Sequence, residues 1–220
     1  MHILDSILDI IFPVHCLGCG MARVDLCIKC LAESPPAERE TAKWIFSIYD
    51  YRHPPIKKAV WLLKYKGKKR LANIFAQALY PRILEELSEL KIMENFQDSI
   101  LIPIPLSAKR RRERGFNQAE FICQALIKLD SSANFKLDGK LLLKIKETEH
   151  QAKIKDRRER LKNLNGSFAV KNEAEKIDRV KGRNIILIDD VTTTGATLNE
   201  ARKTLKQAGA KKIIAFTVAH

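Results

Sequence analysis

Residues Ile185-Ile186-Leu187-Ile188 form an unbroken apolar run that delivers two acids, Asp189 and Asp190, and then a hydroxyl-rich loop, Val191-Thr192-Thr193-Thr194-Gly195, which opens on Ala196-Thr197-Leu198. Four apolar residues without alternation suit a strand buried on both faces, the situation inside a parallel sheet covered by helices. Acids at the carboxyl end of such a strand, followed at once by a glycine turn and a helix start, set backbone N–H groups and the helix dipole where an anion can sit. Thr192, Thr193, Thr194 and Thr197 add hydroxyl donors, and Gly195 lets the backbone approach a ligand closely. Paired carboxylates suit the vicinal hydroxyls of a ribose, the role acids play at strand ends in dinucleotide-binding folds. The spacing G-x-x-x-x-G-K-[ST] is absent, so the loop is not a P-loop. The plainer alternative is a helix capped by Thr194 behind a strand whose acids are solvated.

The rest of the chain repeats the alternation of strand and helix. Trp44 to Tyr51, Ser99 to Pro103, Leu141 to Ile145 and Ile213 to Val218 read as strands. Residues 56–80 read as helix, turn at Gly67, helix; a more acidic helix follows over 81–97, and others over Asn117–Lys128 and Ala196–Gln207. An α/β fold follows, with a parallel sheet flanked by helices. Residues 34–42, rich in Pro, Glu and Ala, read as a linker, which divides the chain into 1–40 and 41–220. Residues 146–165 are polar and basic and read as a mobile loop, suited to a lid that orders over an anion. Their charges suit a solvated loop as well.

Cys16-Leu17-Gly18-Cys19 and Cys27-Ile28-Lys29-Cys30 are two C-x2-C pairs, the spacing of a closed tetrahedral Zn²⁺ site with four thiolate ligands and no open position for a substrate. Gly18 and Gly20 allow turns that point amides at the sulfurs. A segment this short offers little apolar core, so metal binding is expected to supply most of its folding free energy. Disulfides or free thiols are the alternatives, and a reducing cytosol disfavours the former. Cys123 falls on an apolar helical stripe and reads as core; His15 and His150 have no evident partners.

Forty Lys and Arg against 26 Asp and Glu leave a net charge of +14. Nine basic residues and no acid fall within residues 51–84, and further excess lies in 107–118 and 144–163. Such clusters suit a polyanion, whether nucleic acid, phosphate ester or pyrophosphate, and also suit a merely solvated surface. Over 44–66 the cations interleave with Trp44, Phe46, Tyr49, Tyr51, Trp61 and Tyr65, a composition fit for stacking single-stranded bases; taken singly, most of these aromatics read as core. With 45% apolar and 30% charged residues, disorder and a disulfide-stapled miniprotein are excluded. No run of about 18 apolar residues is present, so no integral membrane insertion is expected. The residues before Pro13 lack the basic start of a signal peptide. The chain is therefore expected in the cytoplasm; the amphipathic helix read over residues 3–11 carries Asp5 and Asp9 and no Lys on its polar face, which favours packing on the protein's own body over a peripheral position at the inner face of the membrane.

The run Ile185–Leu198 resembles the phosphoribosyl-pyrophosphate (PRPP) signature of type I phosphoribosyltransferases. Ile102-Pro103-Ile104-Pro105-Leu106-Ser107, Arg111 and Arg114-Gly115-Phe116-Asn117-Gln118-Ala119-Glu120 resemble the ComF (ComFC) group of competence proteins, as do Leu63-Lys64-Tyr65-Lys66-Gly67, the paired cysteines, and Thr148, Gln151, Arg160, Asn163, Gly166 and Phe168. The resemblance spans nearly the whole chain. It implies a type I phosphoribosyltransferase-like fold with a zinc-bearing N-terminal element, and a role in natural transformation, handling incoming single-stranded DNA with the uptake machinery. It also implies that Asp189 and Asp190 face the ribose hydroxyls, and that Thr192, Thr193, Thr194, Gly195, Ala196 and Thr197 hold the 5′-phosphate. Leu106 and Ser107 would form the pyrophosphate turn, with Mg²⁺ bridging ligand oxygens. Lys64 and Arg114 are candidates for stabilising a departing pyrophosphate, with Arg111 weaker. A Mg-dependent transferase acting on a nucleobase-like or other small acceptor is the alternative to a DNA-handling protein that binds PRPP.

Overall fold

The structure is a computed structural model and describes residues 14–38, 42–147, 165–171 and 179–220. The amphipathic segment read over 3–11 and nearly all of the lid read over 146–165 lie outside the described residues, as do Thr148, Gln151, Arg160 and Asn163.

The central element is a five-stranded, wholly parallel sheet built from β1 (Ile45–Tyr49), β2 (Ser99–Pro103), β3 (Phe135–Leu137), β6 (Asn184–Val191) and β7 (Lys212–Ala219), in the order β1-β7-β6-β2-β3. The apolar run at 185–188 is central because both faces of β6 are covered. Its side chains alternate across the sheet. Ile186 and Ile188 join Ile214, Phe216 and Leu101 in one core with helices α2 (Pro54–Lys66), α3 (Lys69–Glu94) and α5 (Gln118–Leu129). Ile185 and Leu187 join Ile102, Ile213 and Ala215 against helix α6 (Ala196–Gln207) on the other face. Helices α1 (Ile28–Ala32) and α4 (Ala108–Arg114) complete the described helices.

Two expectations change. No helix boundary falls at Pro81; α3 runs through it. An internal proline costs roughly 3 kcal/mol. Leu71, Phe75, Leu79 and Ile83, at four-residue spacing on one face, are all fully buried, and each such side chain returns roughly 1.5–3 kcal/mol. Packing outweighs the proline. The strand expected at 141–145 is present as β4 (Leu142–Lys144), but it pairs antiparallel with β5 (Phe168–Val170) in a separate two-stranded ribbon. Its burial alternates: Leu142 is buried while Leu143 and Ile145 are exposed. A strand with one wet face has no place inside a sheet covered on both sides.

Strands β2 and β6 are neighbours, with Pro103 opposite Ile188. From β2 the chain proceeds to β3 on one side, and from β6 to β7 on the other. Their carboxyl ends therefore form a topological switch point, where open α/β sheets leave a crevice.

Candidate functional site

A cavity of about 470 Å³ opens at this switch point, within the usual range of roughly 300–1,000 Å³ for small-molecule sites. Asp189 and Asp190 reach it from the end of β6, and Val191, Thr192, Thr193, Gly195, Ala196 and Thr197 form one wall. Gly195 adopts the left-handed conformation, φ 69°, as the N-cap of α6, a geometry that L side chains resist. The loop is tied to the end of β7: Thr192 N donates to Ala219 O at 3.0 Å, and the His220 ring meets Thr193 O at 2.9 Å. Thr194 is not among the residues lining the cavity, and its hydroxyl accepts from Ala196 N at 3.4 Å.

Helix α2 supplies the opposite wall. Lys64 Nζ lies 2.8 Å from Asp190 Oδ2. Burial disfavours the ammonium, but Asp190 and then Asp189 more than offset it, so Lys64 stays charged to higher pH than usual. Burial, reinforced by the neighbouring Asp190 charge, pushes the Asp189 carboxyl well above its ordinary range. Asp190 N donates to Asp189 Oδ1 at 2.8 Å and Val191 N to Asp190 Oδ1 at 2.9 Å, so the backbone fixes both carboxylates. Trp61 and Tyr65, one turn apart on α2, stand at the cavity with rings 5.6 Å apart and each 46% exposed. These two aromatics are therefore not core.

The segments Leu63–Gly67 and Arg114–Gln118 meet here. Arg114 lies over the Tyr65 ring at 5.0 Å and donates to Gln118 Oε1 at 3.1 Å. Gly67 packs so closely on Phe116 that an added Cβ would lie 2.8 Å from the ring. Asn117 caps α5 by accepting from Ala119 N and donates Nδ2–H to Ile104 O at 3.0 Å, which locks this segment to the turn after β2. Leu106 lines the cavity. Ser107 does not: it caps α4, and its hydroxyl donates to Glu147 Oε2 at 2.8 Å. Arg111 pairs with Glu120 at 2.9 Å outside the cavity.

The four cysteines converge separately. Cys16, Cys19, Cys27 and Cys30 place their sulfurs within 4.8 Å of one another, and Cys19 Sγ to Cys27 Sγ is 3.7 Å. A tetrahedral zinc with Zn–S bonds of about 2.3 Å has S···S edges of about 3.8 Å, whereas a disulfide needs about 2.05 Å. Cys27 N donates to Cys16 Sγ and Cys30 N to Cys27 Sγ. Thiols this crowded cannot all ionise alone: hydrogen bonding to Cys27, then burial, pushes Cys30 up to about 12. A divalent ion relieves that conflict, so the four residues fit a metal such as zinc. Apolar support is larger than the sequence suggested, because Leu26 and Leu31 are buried in the same core as Ile56 and Val60. Among the described residues no other group of three or more His, Cys, Asp or Glu gathers in this way.

Residues 144–220 match the model of the phosphoribosyl transferase domain. Competence protein F of Haemophilus influenzae is 29% identical over 209 residues, covering 92% of this chain and 82% of that protein. ComFC of Bacillus subtilis is 32% identical over 173 residues, 78% of this chain and 62% of that protein. Over most of its length the chain is similar to these competence proteins. The DNA utilization protein YhgH of Escherichia coli K12 is also similar, 26% identical over 201 residues. A hypoxanthine phosphoribosyltransferase from Staphylococcus aureus superposes on 66% of this chain and 61% of its own, with a TM-score of 0.37 at 13% identity.

Two basic cavity residues escaped the sequence reading. Arg110 on α4 and Lys144 on β4 both line the cavity. Both lie in segments whose charge excess was evident. Nothing local marked them, because contacts between distant segments, the Ser107–Lys144 bridge and the hydrogen bonds of Glu147 to Ser107 and Lys109, bring the ribbon beside the start of α4.

Proposed function

We propose that this protein binds PRPP at the switch-point cavity and handles single-stranded DNA during natural transformation, working in the cytoplasm and at most peripherally at the membrane. One observation carries the reading: two backbone-fixed carboxylates, a Thr-Gly loop at a helix start and a set of cations line a single cavity. Asp189 and Asp190 would accept from the ribose hydroxyls. Thr192, Thr193, Gly195, Ala196 and Thr197 would receive the 5′-phosphate at the N-terminus of α6. Arg114, together with the turn at Leu106, would face the pyrophosphate, and Lys64 holds Asp190 in place.

Magnesium fits only as a passenger on the ligand. Asp190 Oδ2 faces the Lys64 ammonium and one oxygen of each carboxylate, Oδ1, accepts a backbone N–H, so the pair suits hydroxyl donors better than a cation cage. The ion would screen diphosphate charge. Zinc at Cys16, Cys19, Cys27 and Cys30 would be structural.

The DNA reading draws support from the names of the relatives, competence protein F and DNA utilization protein, and from the exposed Trp61–Tyr65 step flanked by Lys66 and Arg114. No described helix is long and apolar enough to cross a membrane. Binding of PRPP with Mg²⁺, and of a labelled oligonucleotide across a salt series, tests both halves. Sequence-tolerant retention that weakens steeply with salt is expected; no retention at low salt refutes the DNA half. Release of pyrophosphate from PRPP with a nucleobase-like acceptor would make the protein a transferase.

A further inference from the structure

The two walls of the cavity meet anions by different means. The β6–α6 wall offers a loop, hydroxyls and a helix start but no Lys or Arg among its lining residues. Across from it, α4 contributes Arg110 and Arg114, and the end of β4 contributes Lys144, held beside the turn after β2 by its bridge to Ser107. Lys64 is committed to Asp190.

We infer that Lys144 makes this cavity selective for a diphosphate ester over a monophosphate. The inference rests on the phosphoribosyl-binding reading above. One phosphate is served by the β6–α6 wall alone. That leaves Lys144, Arg110 and Arg114 lining the same space as like charges, a repulsion that a second anionic group on the ligand removes. Other charges face Lys144 as well. Asp189 on β6 and Glu147, just beyond β4, favour its ammonium, while Arg110 opposes it; Lys64, Asp190 and Arg114 share the cavity. The Phe168 ring of β5 lies 5.4 Å from Nζ. Burial first, then Arg110, lowers Lys144 to about 8, so a bound diphosphate would restore the proton as well as use it.

The test is calorimetric titration of the full chain with PRPP, inorganic pyrophosphate and ribose 5-phosphate, each with Mg²⁺, for the parent, Lys144→Met and Lys144→Arg, with thermal unfolding confirming that each is folded. Lys144→Met is expected to weaken PRPP and pyrophosphate by about 10- to 100-fold, one charge-assisted contact, and to leave ribose 5-phosphate within about twofold. Lys144→Arg is expected to keep diphosphate affinity and to abolish the weakening that the parent shows as pH rises through about 8. Equal losses for PRPP and ribose 5-phosphate, or no loss for either, overturn the selectivity role while the site reading stands. A parent chain that holds neither ligand overturns both.

Discussion

Replacing Gly67 with alanine isolates the contact that joins α2 to the Arg-Gly-Phe segment. Gly67 is the C-cap of α2 at φ 60° and ψ 28°, and an L residue in that conformation costs roughly 1–2 kcal/mol. Its new Cβ would sit 2.8 Å from Phe116 Cε1 and 3.1 Å from Cζ. The ring cannot retreat freely, because it stacks on Phe121 at 5.2 Å; turning it off its rotamer costs about 1 kcal/mol. The total is about 2–3 kcal/mol, which for a chain of this size lowers Tm by about 4–12 °C. Gly115→Ala is the control. Its φ is 77°, but nothing lies within 4 Å of the added Cβ, so only the backbone part, about 1–2 kcal/mol, is expected. In a Phe116→Ala background the clash disappears, and the cycle should return a coupling of about 1 kcal/mol. Denaturant and thermal unfolding read the parent and all four variants. The reasoning fails if Gly67→Ala is no worse than Gly115→Ala, or if the Phe116 background leaves its cost unchanged.

Other perturbations probe the remaining parts. Gly18→Ala puts a Cβ 2.6 Å from Cys30 Sγ; metal analysis should find one zinc per parent chain and much less in the variant, whereas equal content contradicts the ligand set. Stripping the metal should raise hydrogen exchange along α2, because that helix meets the cysteine element at Pro55, 3.9 Å from the position of a Gly18 Cβ, and nearby through the 2.9 Å Lys68–Asp25 pair; unchanged exchange would contradict that support. Trp61→Ala and Tyr65→Ala should each weaken oligonucleotide binding by about 1–3 kcal/mol with little change in Tm, since both rings are half exposed. Unchanged binding would remove the stacking step from the account.

What was legible in the sequence was local. The apolar run, its acids and the Thr-Gly turn occupy one continuous stretch, so β6, the loop and α6 follow from adjacent residues. The cysteine pairs were legible for the same reason, since two short turns bring four sulfurs together. Contacts between distant segments were not. Lys144 reaches the cavity through the β4–β5 ribbon and its bridge to Ser107, and a three-residue strand leaves a faint pattern. Helix α4 was hidden because its charged residues lack a buried stripe. A signal did exist for Trp61 and Tyr65: Ile56, Ala59, Val60 and Leu63 mark the buried face of α2, and the two aromatics, four residues apart, fall on another. Read singly as aromatics, they looked like core.

The central claim is that the carboxylates at the end of β6 hold the sugar of a phosphoribosyl ligand. Calorimetry with PRPP and Mg²⁺ on the parent and on Asp189→Asn/Asp190→Asn tests it most directly, with thermal unfolding showing that the variant remains folded. The account predicts one PRPP per chain and a loss of about 100-fold or more in the variant, two charge-assisted hydrogen bonds to ribose. A folded variant that binds PRPP as tightly as the parent, or a parent that does not bind it at all, would contradict the account.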